Sequence, residues 1–354
     1  MQIIIIIFLS ILLVIAVFMI YFKIKRRNLM KRFKEPYHDF DDEDFDFESL
    51  KQIRRYWDSN REHENPAYFI DDTTWNDLDM DHLFFKMNAT QSSVGEEYFY
   101  AKLRSVNFDK DELERFGDKI DFMDENSSVK TNSIISLYYL GKNLYNGTYE
   151  FIFDIKRFFL QNMIIYYILM MFPIISAVLC FFTPLGFVMV FLSYITNTIF
   201  YQMHKFKFTV NLHSISYIQK IFICASELSN MDFGNLDFNE RLKNSLKPLR
   251  KITIFMNNAL HVAANELESL FEFLKTLLML DFINYDRITK LLLKHSKEFH
   301  EVFKAVGEID TVIAISEYRK TLSFYSKPNF KDMPEAIFEN LYHRRWCKNR
   351  LLHR

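Results

Sequence analysis

The sequence predicts an all-α membrane protein, with an N-terminal transmembrane helix and a helical bundle that is interrupted by a transmembrane helical hairpin. Three observations lead to this class. Only 7 Gly and 7 Pro occur among 354 residues, which is too few for the many tight turns of sandwiches, barrels or Rossmann-type folds. Apolar side chains recur at three- and four-residue spacing in the polar segments. Two apolar segments without charge are long enough to enter a bilayer.

Composition excludes several classes of protein. Charged residues make up 25% and apolar residues 49% of the chain, so it is too hydrophobic to be disordered and too charged for a polytopic transporter. The formal net charge is -1, and any footprint for nucleic acid must therefore be local. Cys180, Cys224 and Cys347 lie far apart, which excludes a disulfide framework and a thiolate metal site.

Residues 1–22 form the predicted transmembrane anchor. The segment from Ile3 to Phe22 carries no charge and can cross a hydrocarbon core of about 30 Å. No basic segment precedes it and no small-residue cleavage site follows, so we interpret it as an uncleaved anchor. Only basic charges occur from Lys23 to Lys34. The positive-inside rule then places the rest of the chain in the cytoplasm.

Residues 23–66 are predicted to be a linker, first basic and then acidic. Seven of the ten residues from Asp39 to Glu48 are acidic, without the glycine and terminal glutamate spacing of a calcium loop. We interpret this run as solvated chain. Residues 67–157 are predicted to be helical, since Leu83, Phe84 and Met87 recur at helical spacing.

Residues 158–204 are predicted to be a transmembrane hairpin. No Asp, Glu, Lys or Arg occurs between Phe158 and His204, and a turn signal around Pro184 divides the run into helices at about 161–181 and 185–203. Basic residues flank both ends, which predicts that both ends are cytoplasmic and that the turn reaches the outside. Pro173 requires a neighbour to satisfy the carbonyl that it leaves free. The alternative is a buried hairpin in the core of a soluble protein.

Residues 205–330 are predicted to be long amphipathic helices packed as antiparallel pairs. Two apolar stripes predict their buried faces: Leu267, Leu270, Phe271, Leu274, Leu277 and Leu278, and then Leu291, His295, Phe299, Val302, Val306, Ile309 and Ile313. Gly307 is the one helix breaker between Pro248 and Pro328. His295 and His300 lack the i,i+4 spacing of a metal pair, so His295 is interpreted as a core residue.

Catalytic and cofactor motifs are missing from the sequence. There is no GxGxxG, GxSxG, HExxH or phosphate-binding loop with its lysine. We therefore predict no catalytic, metal-binding or cofactor-binding residue, no enzyme activity and no ATP binding by this chain.

Residues 70–104 carry the first part of a family resemblance. The run Ile70-Asp-Asp-Thr-Thr-Trp-Asn-Asp-Leu-Asp-Met80 is followed, after seven residues, by Asn88-Ala-Thr-Gln-Ser-Ser-Val-Gly95. These segments resemble the opening of the core domain of the MutS family of DNA mismatch-repair proteins. The matching positions are Asp71, Thr74, Leu78, Asp79, Thr90, Ser92 and Gly95. Thr74 and Ser92 are expected to cap helices or form turns, Gly95 to permit close helix packing, and the apolar positions to be core.

The second part lies near residue 310. Glu308-Ile-Asp310 and the following helix, then Phe324-Tyr325-Ser-Lys-Pro328, are similar to the returning lever helix of that family. The two matches bracket residues 70–330. The chain departs from the family at Glu97, where arginine is usual, and the hairpin stands where the DNA clamp would be.

The resemblance implies a membrane-anchored MutS-like DNA-binding protein at the inner (cytoplasmic) membrane. Intact members use ATP and Mg, and their ATPase domain is expected after residue 340 but does not follow. The implied partners are membrane lipid, DNA, and either a second copy bound through the levers or a separate ATPase-bearing chain. Candidate phosphate contacts are Arg241, Lys243, Lys247, Arg250 and Lys251, for which a solvated helix face is the alternative. The alternative functions are a helical membrane scaffold for protein partners and an inactive gene fragment.

Residues 331–354 form a basic tail where entry into the ATPase domain would be expected. From Arg344 onwards there is no acidic residue and no apolar period. We interpret the tail as the product of a shifted reading frame, with a functional basic tail that binds DNA or anionic lipid as the alternative.

Overall fold

A computed structural model describes residues 47–64, 66, 68–143, 148–160, 162–260, 273–322 and 324–328, and a few positions between 24 and 33. Side chains are described for these residues except 47, 64, 206–212 and 251–260. The predicted anchor (1–22), the acidic run up to residue 46, the basic tail (331–354) and the stripe positions from Leu267 to Phe271 lie outside the described residues. Residues 47–64 of the predicted linker form a helix in which Tyr56 and Trp57 are buried. The chain divides into two compact units, Met1–Ser323 and Phe324–Arg354. In the second unit, residues 324–328 have irregular backbone.

The described part of the first unit is all-α, as predicted. Its helices, in chain order, are α1 (Phe47–Glu64), α2 (Asp72–Asp77), α3 (Met80–Met87), α4 (Ser93–Arg104), α5 (Lys110–Glu125), α6 (Ser127–Leu140), α7 (Thr148–Phe153), a 3-10 turn (Ile155–Phe158), α8 (Met163–Leu179), α9 (Leu185–Leu228), α10 (Phe238–Leu260), α11 (Leu280–Lys294) and α12 (Ser296–Thr321). One isolated antiparallel bridge joins Phe69 to Ser105.

Helix α12 lies at the centre of the core and packs against α4, α5, α6 and α10. Phe299, Val302, Val306, Ile309 and Ile313 are fully buried, so the predicted stripe is confirmed over this helix. Burying each of these side chains contributes about 1.5 to 3 kcal/mol.

Two expectations about the C-terminal helices are wrong: that Gly307 breaks a helix, and that Leu274 lies in the core. The break between α11 and α12 occurs at His295, whose backbone (φ -125, ψ 40) leaves the helix and forms the N-cap of α12. Gly307 does not break α12, because it is used for close packing against α4. Leu274, expected in the core, is 36% exposed because the helical segment 273–277 packs along the hairpin and not into the centre of the bundle.

The hairpin differs from its prediction in one respect. Helix α8 and the start of α9 agree with the predicted helices, but α9 does not end near residue 203. It runs for 44 residues in all, from Leu185 to Leu228, or about 66 Å, because no Gly or Pro follows Gly186 within it and flanking charges do not end a helix. The predicted domain boundary at 204/205 therefore lies inside one helix.

Candidate functional site: the Asp310 junction, the basic row and the apolar hairpin

The buried carboxylate of Asp310, on α12, joins the two segments that carry the family resemblance. It accepts hydrogen bonds from the backbone N–H of Gln91 (3.0 Å), the backbone N–H of Ser92 (3.0 Å) and the Ser92 hydroxyl (2.6 Å). The Ser92 oxygen in turn accepts the N–H of Gly95 at 3.0 Å, which makes Ser92 the N-cap of α4. We call Gln91, Ser92, Gly95, Gly307 and Asp310 the Asp310 junction.

Two glycines, one on each helix, allow α4 and α12 to approach closely. A Cβ atom on Gly95 would overlap the Asp310 carboxylate, and one on Gly307 would overlap the Tyr98 side chain. The close packing expected at Gly95 is therefore observed, and Gly307 has the equivalent position on α12.

Several buried ionisable groups surround the junction. Burial raises the pKa of Asp310 to about 6, against the lowering effect of its hydrogen bonds from Ser92 and Gln91. Burial also raises the pKa of Glu97 well above its ordinary value, and the charge of Glu96 adds to this. The Tyr217 hydroxyl accepts the N–H of Ser93 (3.2 Å) and donates to the carbonyl of Gly141 (2.8 Å). Helix α9 is thereby bonded to the start of α4.

A cluster of ion pairs joins α5, α10 and α12 beside the junction. Lys119 is 2.7 Å from both Glu308 and Asp237, and Arg241 is 2.6 Å from Glu308 and 3.7 Å from Glu301. Arg241, a candidate phosphate contact, is thus engaged in ion pairs inside the protein. A guanidinium held in this way is a poorer ligand for an external phosphate than an unpaired one.

Three of the remaining candidates form what we call the basic row. Lys243, Lys247 and Arg250 on α10 are exposed, and their i, i+4, i+7 spacing places them on one helix face. No ion pair involves these three side chains among the described residues. The side chain of Lys251 lies outside the described part.

The other motif residues have local roles. Thr74, expected to cap a helix or form a turn, lies inside α2. The N-cap of α2 is Asp71, which accepts the N–H of Thr74 at 2.7 Å. Leu78 was expected in the core but is 59% exposed, because it forms the turn that ends α2. Asp79 adopts left-handed backbone (φ 52) before α3. Thr90 is buried, and its hydroxyl donates to Asn88 at 2.6 Å.

The hairpin of α8 and α9 contains one fully buried amide, Asn197. Its Nδ2 group donates to the carbonyl of Leu169 (2.8 Å) and to that of Leu277 (2.6 Å). Pro173 has no N–H for the Leu169 carbonyl four residues earlier, so Asn197 supplies the missing donor. The sequence predicted that a neighbour must do this, and the structure identifies it.

The outer surface of the hairpin is apolar and uncovered. The two candidate membrane spans are Ile155–Leu179 and Leu185–Lys205, with mean hydropathies of 2.0 and 1.3. In the most apolar 18-residue part of each, only 17% and 22% of the residues are buried. The most exposed side chains are Ile164, Ile168, Phe181, Phe182, Leu185, Phe187, Val188, Phe191 and Met203. Soluble monomers rarely expose a contiguous apolar surface of this extent.

The base of the hairpin is held by aromatic and charged side chains. Tyr201 donates to Asp281 at 2.5 Å and lies under the Lys205 ammonium, 5.3 Å from its ring centroid. Tyr285 of α11 donates to the carbonyl of Phe158 at 2.8 Å. Aromatic rings with polar ends and adjacent cations are typical of a membrane–water interface.

Sequence reasoning missed Asn197, Tyr217 and Lys119. Asn197 carries a usable signal, since it is one of very few strongly polar residues in an uncharged apolar run that also contains a proline. Lys119 and Tyr217 depend on contacts between distant helices, for which a single sequence gives no signal. In the described part of the chain, no group of three or more His, Cys, Asp or Glu is arranged to hold a metal ion.

Comparison with protein-family models, with curated proteins and with solved structures finds no match.

Proposed function

We propose that this chain is a MutS-like DNA-binding protein held at the inner membrane, with its helical bundle in the cytoplasm. The observation that carries the proposal is the Asp310 junction. Segments 70–104 and 308–328 resemble the core opening and the returning lever of one family, and Ser92 and Gly95 of the first contact Asp310 of the second. Such a contact between distant segments is what a shared core-and-lever fold requires.

The membrane attachment rests on the hairpin. A core hairpin of a soluble protein would be covered by other elements, whereas the outer surface of α8 and α9 is largely exposed. Acyl chains are the cover that needs no complementary polar group. The basic flanks at Lys156, Arg157 and Lys205 favour the cytoplasmic side for both ends of the hairpin.

The DNA contact is assigned to the basic row on α10. Exposed Lys and Arg side chains bind phosphates by charge and give affinity without reading the sequence. Three cations spaced along one helix face are suited to contact successive phosphates of the DNA backbone. We therefore expect binding to duplex DNA that has little sequence preference and weakens steeply with salt.

The test is binding of a fluorescent DNA duplex to the full chain in nanodiscs of neutral lipid, followed by anisotropy at several salt concentrations. Replacing Lys243, Lys247 and Arg250 by Ala should weaken binding and reduce the slope of log K against log salt by about 3. A triple variant of Arg287, Lys290 and Lys294 on α11 is the matched control, since it removes the same charge at similar helical spacing.

Equal losses in the two triple variants would mean that net charge, and not the basic row, determines binding. No binding at low salt would contradict the DNA function.

A second candidate function, a scaffold for a protein partner, is favoured by an exposed aromatic patch. Tyr68 (61% exposed) and Phe108 (72% exposed) pack edge to face at 5.1 Å, next to the bridge between Phe69 and Ser105. Exposed aromatic pairs are common at protein interfaces. If the patch mediates self-association, Tyr68→Ser with Phe108→Ser should lower the assembly mass by light scattering and leave DNA binding unchanged.

A further inference from the structure

We infer that the hairpin of α8 and α9 is re-entrant: its tip stays within the hydrocarbon and does not reach water on the far side of the membrane. The partner of this surface is then the acyl-chain interior of the bilayer. This inference rests on the proposed membrane attachment, and it replaces the sequence expectation that the turn at Pro184 lies outside.

The tip, residues 180–187, is the first observation. Its side chains are apolar except for Cys180 and Thr183, and Phe181 and Phe182 are 88% and 78% exposed. A turn that emerges into water normally carries polar or charged side chains. Here the most exposed groups of the hairpin are aromatic rings.

The backbone of the tip is the second observation. Six of its seven N–H groups donate to carbonyls of the hairpin itself: those of Cys180, Phe181, Phe182, Thr183, Gly186 and Phe187. The Leu185 N–H has no backbone acceptor in the described part of the chain. Pro184 has no N–H, and Gly186 lets α9 start so close to Cys180 that a Cβ atom would overlap its backbone. An N–H without an acceptor costs several kcal/mol in hydrocarbon, so a turn with six of seven N–H groups bonded internally has much less need of water than an open loop.

Hydroxyl groups near the tip behave in the same way. Ser176, Ser193 and Thr196 each donate to a carbonyl of their own helix, at 2.8 to 2.9 Å. Hydrogen bonds from the hairpin to other elements occur only nearer its base, from Asn197 to Leu277 and from Tyr201 to Asp281, as far as the described residues extend. The distal part of the hairpin is thus satisfied internally.

Length is the third observation. Helix α8 has 17 residues and is about 25 Å long, at the short end of what crosses a hydrocarbon core of about 30 Å, although the apolar spans Ile155–Leu179 and Leu185–Lys205 are longer. On one face, Leu277 and Asp281 bond to Asn197 and Tyr201, so protein covers the base of the hairpin. From Asn197 to Leu185 is about 18 Å of helix. If water reaches the level of Asn197 on this face, the remaining length leaves the tip inside the hydrocarbon.

Cys180 is a natural probe of this position. In the variant Cys224→Ala with Cys347→Ala, it is the only thiol, and no residue of the tip is altered. Membrane-impermeant maleimide is applied to intact cells and to inverted membrane vesicles. Gln2→Cys and Asn244→Cys, each in a chain without the three natural cysteines, report the predicted outer side and the cytoplasmic side.

We expect Cys180 to react from neither side, and to react faster by about tenfold or more once detergent removes the bilayer. Thr183→Cys, labelled with bimane, should be quenched by lipids brominated deep in the chain and not by iodide.

Other outcomes separate this inference from the proposed attachment. Reaction of Cys180 from the outside would mean that the hairpin crosses the membrane, which overturns the inference and leaves the attachment intact. Reaction from the side of Asn244→Cys would mean that the hairpin is not inserted, which overturns both. Protection that persists in mild detergent together with Cys180–Cys180 cross-linking would assign the tip to a second copy of the chain.

Discussion

The Asp310 junction and the apolar hairpin each bury one strongly polar side chain, but with opposite chemistry. At the junction, a carboxylate is buried among hydrogen-bond donors, the N–H groups of Gln91 and Ser92 and the Ser92 hydroxyl. In the hairpin, the amide of Asn197 donates to two carbonyls that lack a helical partner. The Asp310 side chain is fully buried, whereas much of the outer surface of the hairpin is exposed. Long-range hydrogen bonds hold both side chains, although the Oδ1 atom of Asn197 has no hydrogen-bond partner in the described structure, and only the junction depends on close packing of protein against protein.

The largest expected effect concerns that close packing. Gly95→Val would place methyl groups where the Asp310 carboxylate lies, and should lower the free energy of unfolding by about 3 kcal/mol or more. Gly117→Ala is the matched control, because a Cβ atom there meets nothing within 4 Å and alanine favours the helix by up to about 1 kcal/mol. Circular dichroism during chemical denaturation in detergent measures both. An unperturbed Gly95→Val would mean that the junction is not tightly packed.

A charge introduced at the tip of the hairpin tests whether the tip lies in lipid. Phe182→Asp should raise the free energy of inserting the hairpin by about 3 kcal/mol, and so increase the labelling of Cys180 by an impermeant reagent. Phe108→Asp introduces the same charge at an exposed aromatic residue of the bundle and should leave the labelling unchanged. Equal labelling of the two variants would remove the distinction between water-facing and lipid-facing aromatic residues.

The pH dependence of stability tests how much the carboxylate of Asp310 contributes to the free energy of unfolding. The pKa of about 6 for Asp310 exceeds the ordinary value of 3.8, so the folded chain binds this proton more tightly than the unfolded chain does. The contribution of Asp310 to the free energy of unfolding should be highest below about pH 4 and fall as the pH rises through 6, by on the order of 2 to 3 kcal/mol.

Asp310→Asn should abolish this fall. The difference between wild type and variant is measured by denaturation at pH 4, 5, 6 and 7. Contributions from other carboxylates, such as Asp72 and Asp237, whose pKa values are lowered, have the opposite sign and cancel in the difference. Lys142, whose charge acts on Asp310, remains in both chains. Parallel profiles would show that Asp310 does not titrate in this range.

The smallest effect concerns Asn197. Asn197→Leu leaves the Leu169 and Leu277 carbonyls without its donor, and should cost about 1 to 2 kcal/mol. In a Pro173→Ala background, the new N–H of residue 173 can bond the Leu169 carbonyl, so the same substitution should cost less. Thr196→Val serves as control, since that hydroxyl bonds only within its own helix. Thermal unfolding of the four chains of the cycle measures the coupling, and strict additivity would contradict it.

Composition and periodicity were sufficient for part of the fold. The scarcity of Gly and Pro predicted the all-α class, the uncharged run at 158–204 predicted the hairpin, and the spacing from Phe299 to Ile313 predicted the buried face of α12. These features depend on the residue types of neighbouring positions, which can be read directly from the sequence. The length of α9 was missed because a change of surroundings from apolar to polar was interpreted as the end of a helix.

Contacts between residues far apart in the sequence were harder to predict. Nothing in local sequence relates Ser92 to Asp310 or Lys119 to Glu308. Ser92 and Asp310 were each named through a family resemblance, but their contact was not predicted. Arg241 was grouped with its exposed neighbours because charge alone does not reveal that Glu308 faces it. Leu78 and Leu274 were assigned to the core by hydrophobicity, yet their exposure is determined by where the helices lie.

The uninterrupted helix α9 gives the protein a mechanical property. It begins at the tip of the hairpin and, about 48 Å further on, presents Tyr217 to Ser93 and Gly141. A continuous helix is stiff, so a tilt of the hairpin is carried along its whole length. Under the proposed membrane attachment, the thickness of the bilayer would therefore act as a force on the first turn of α4, next to the carboxylate of Asp310.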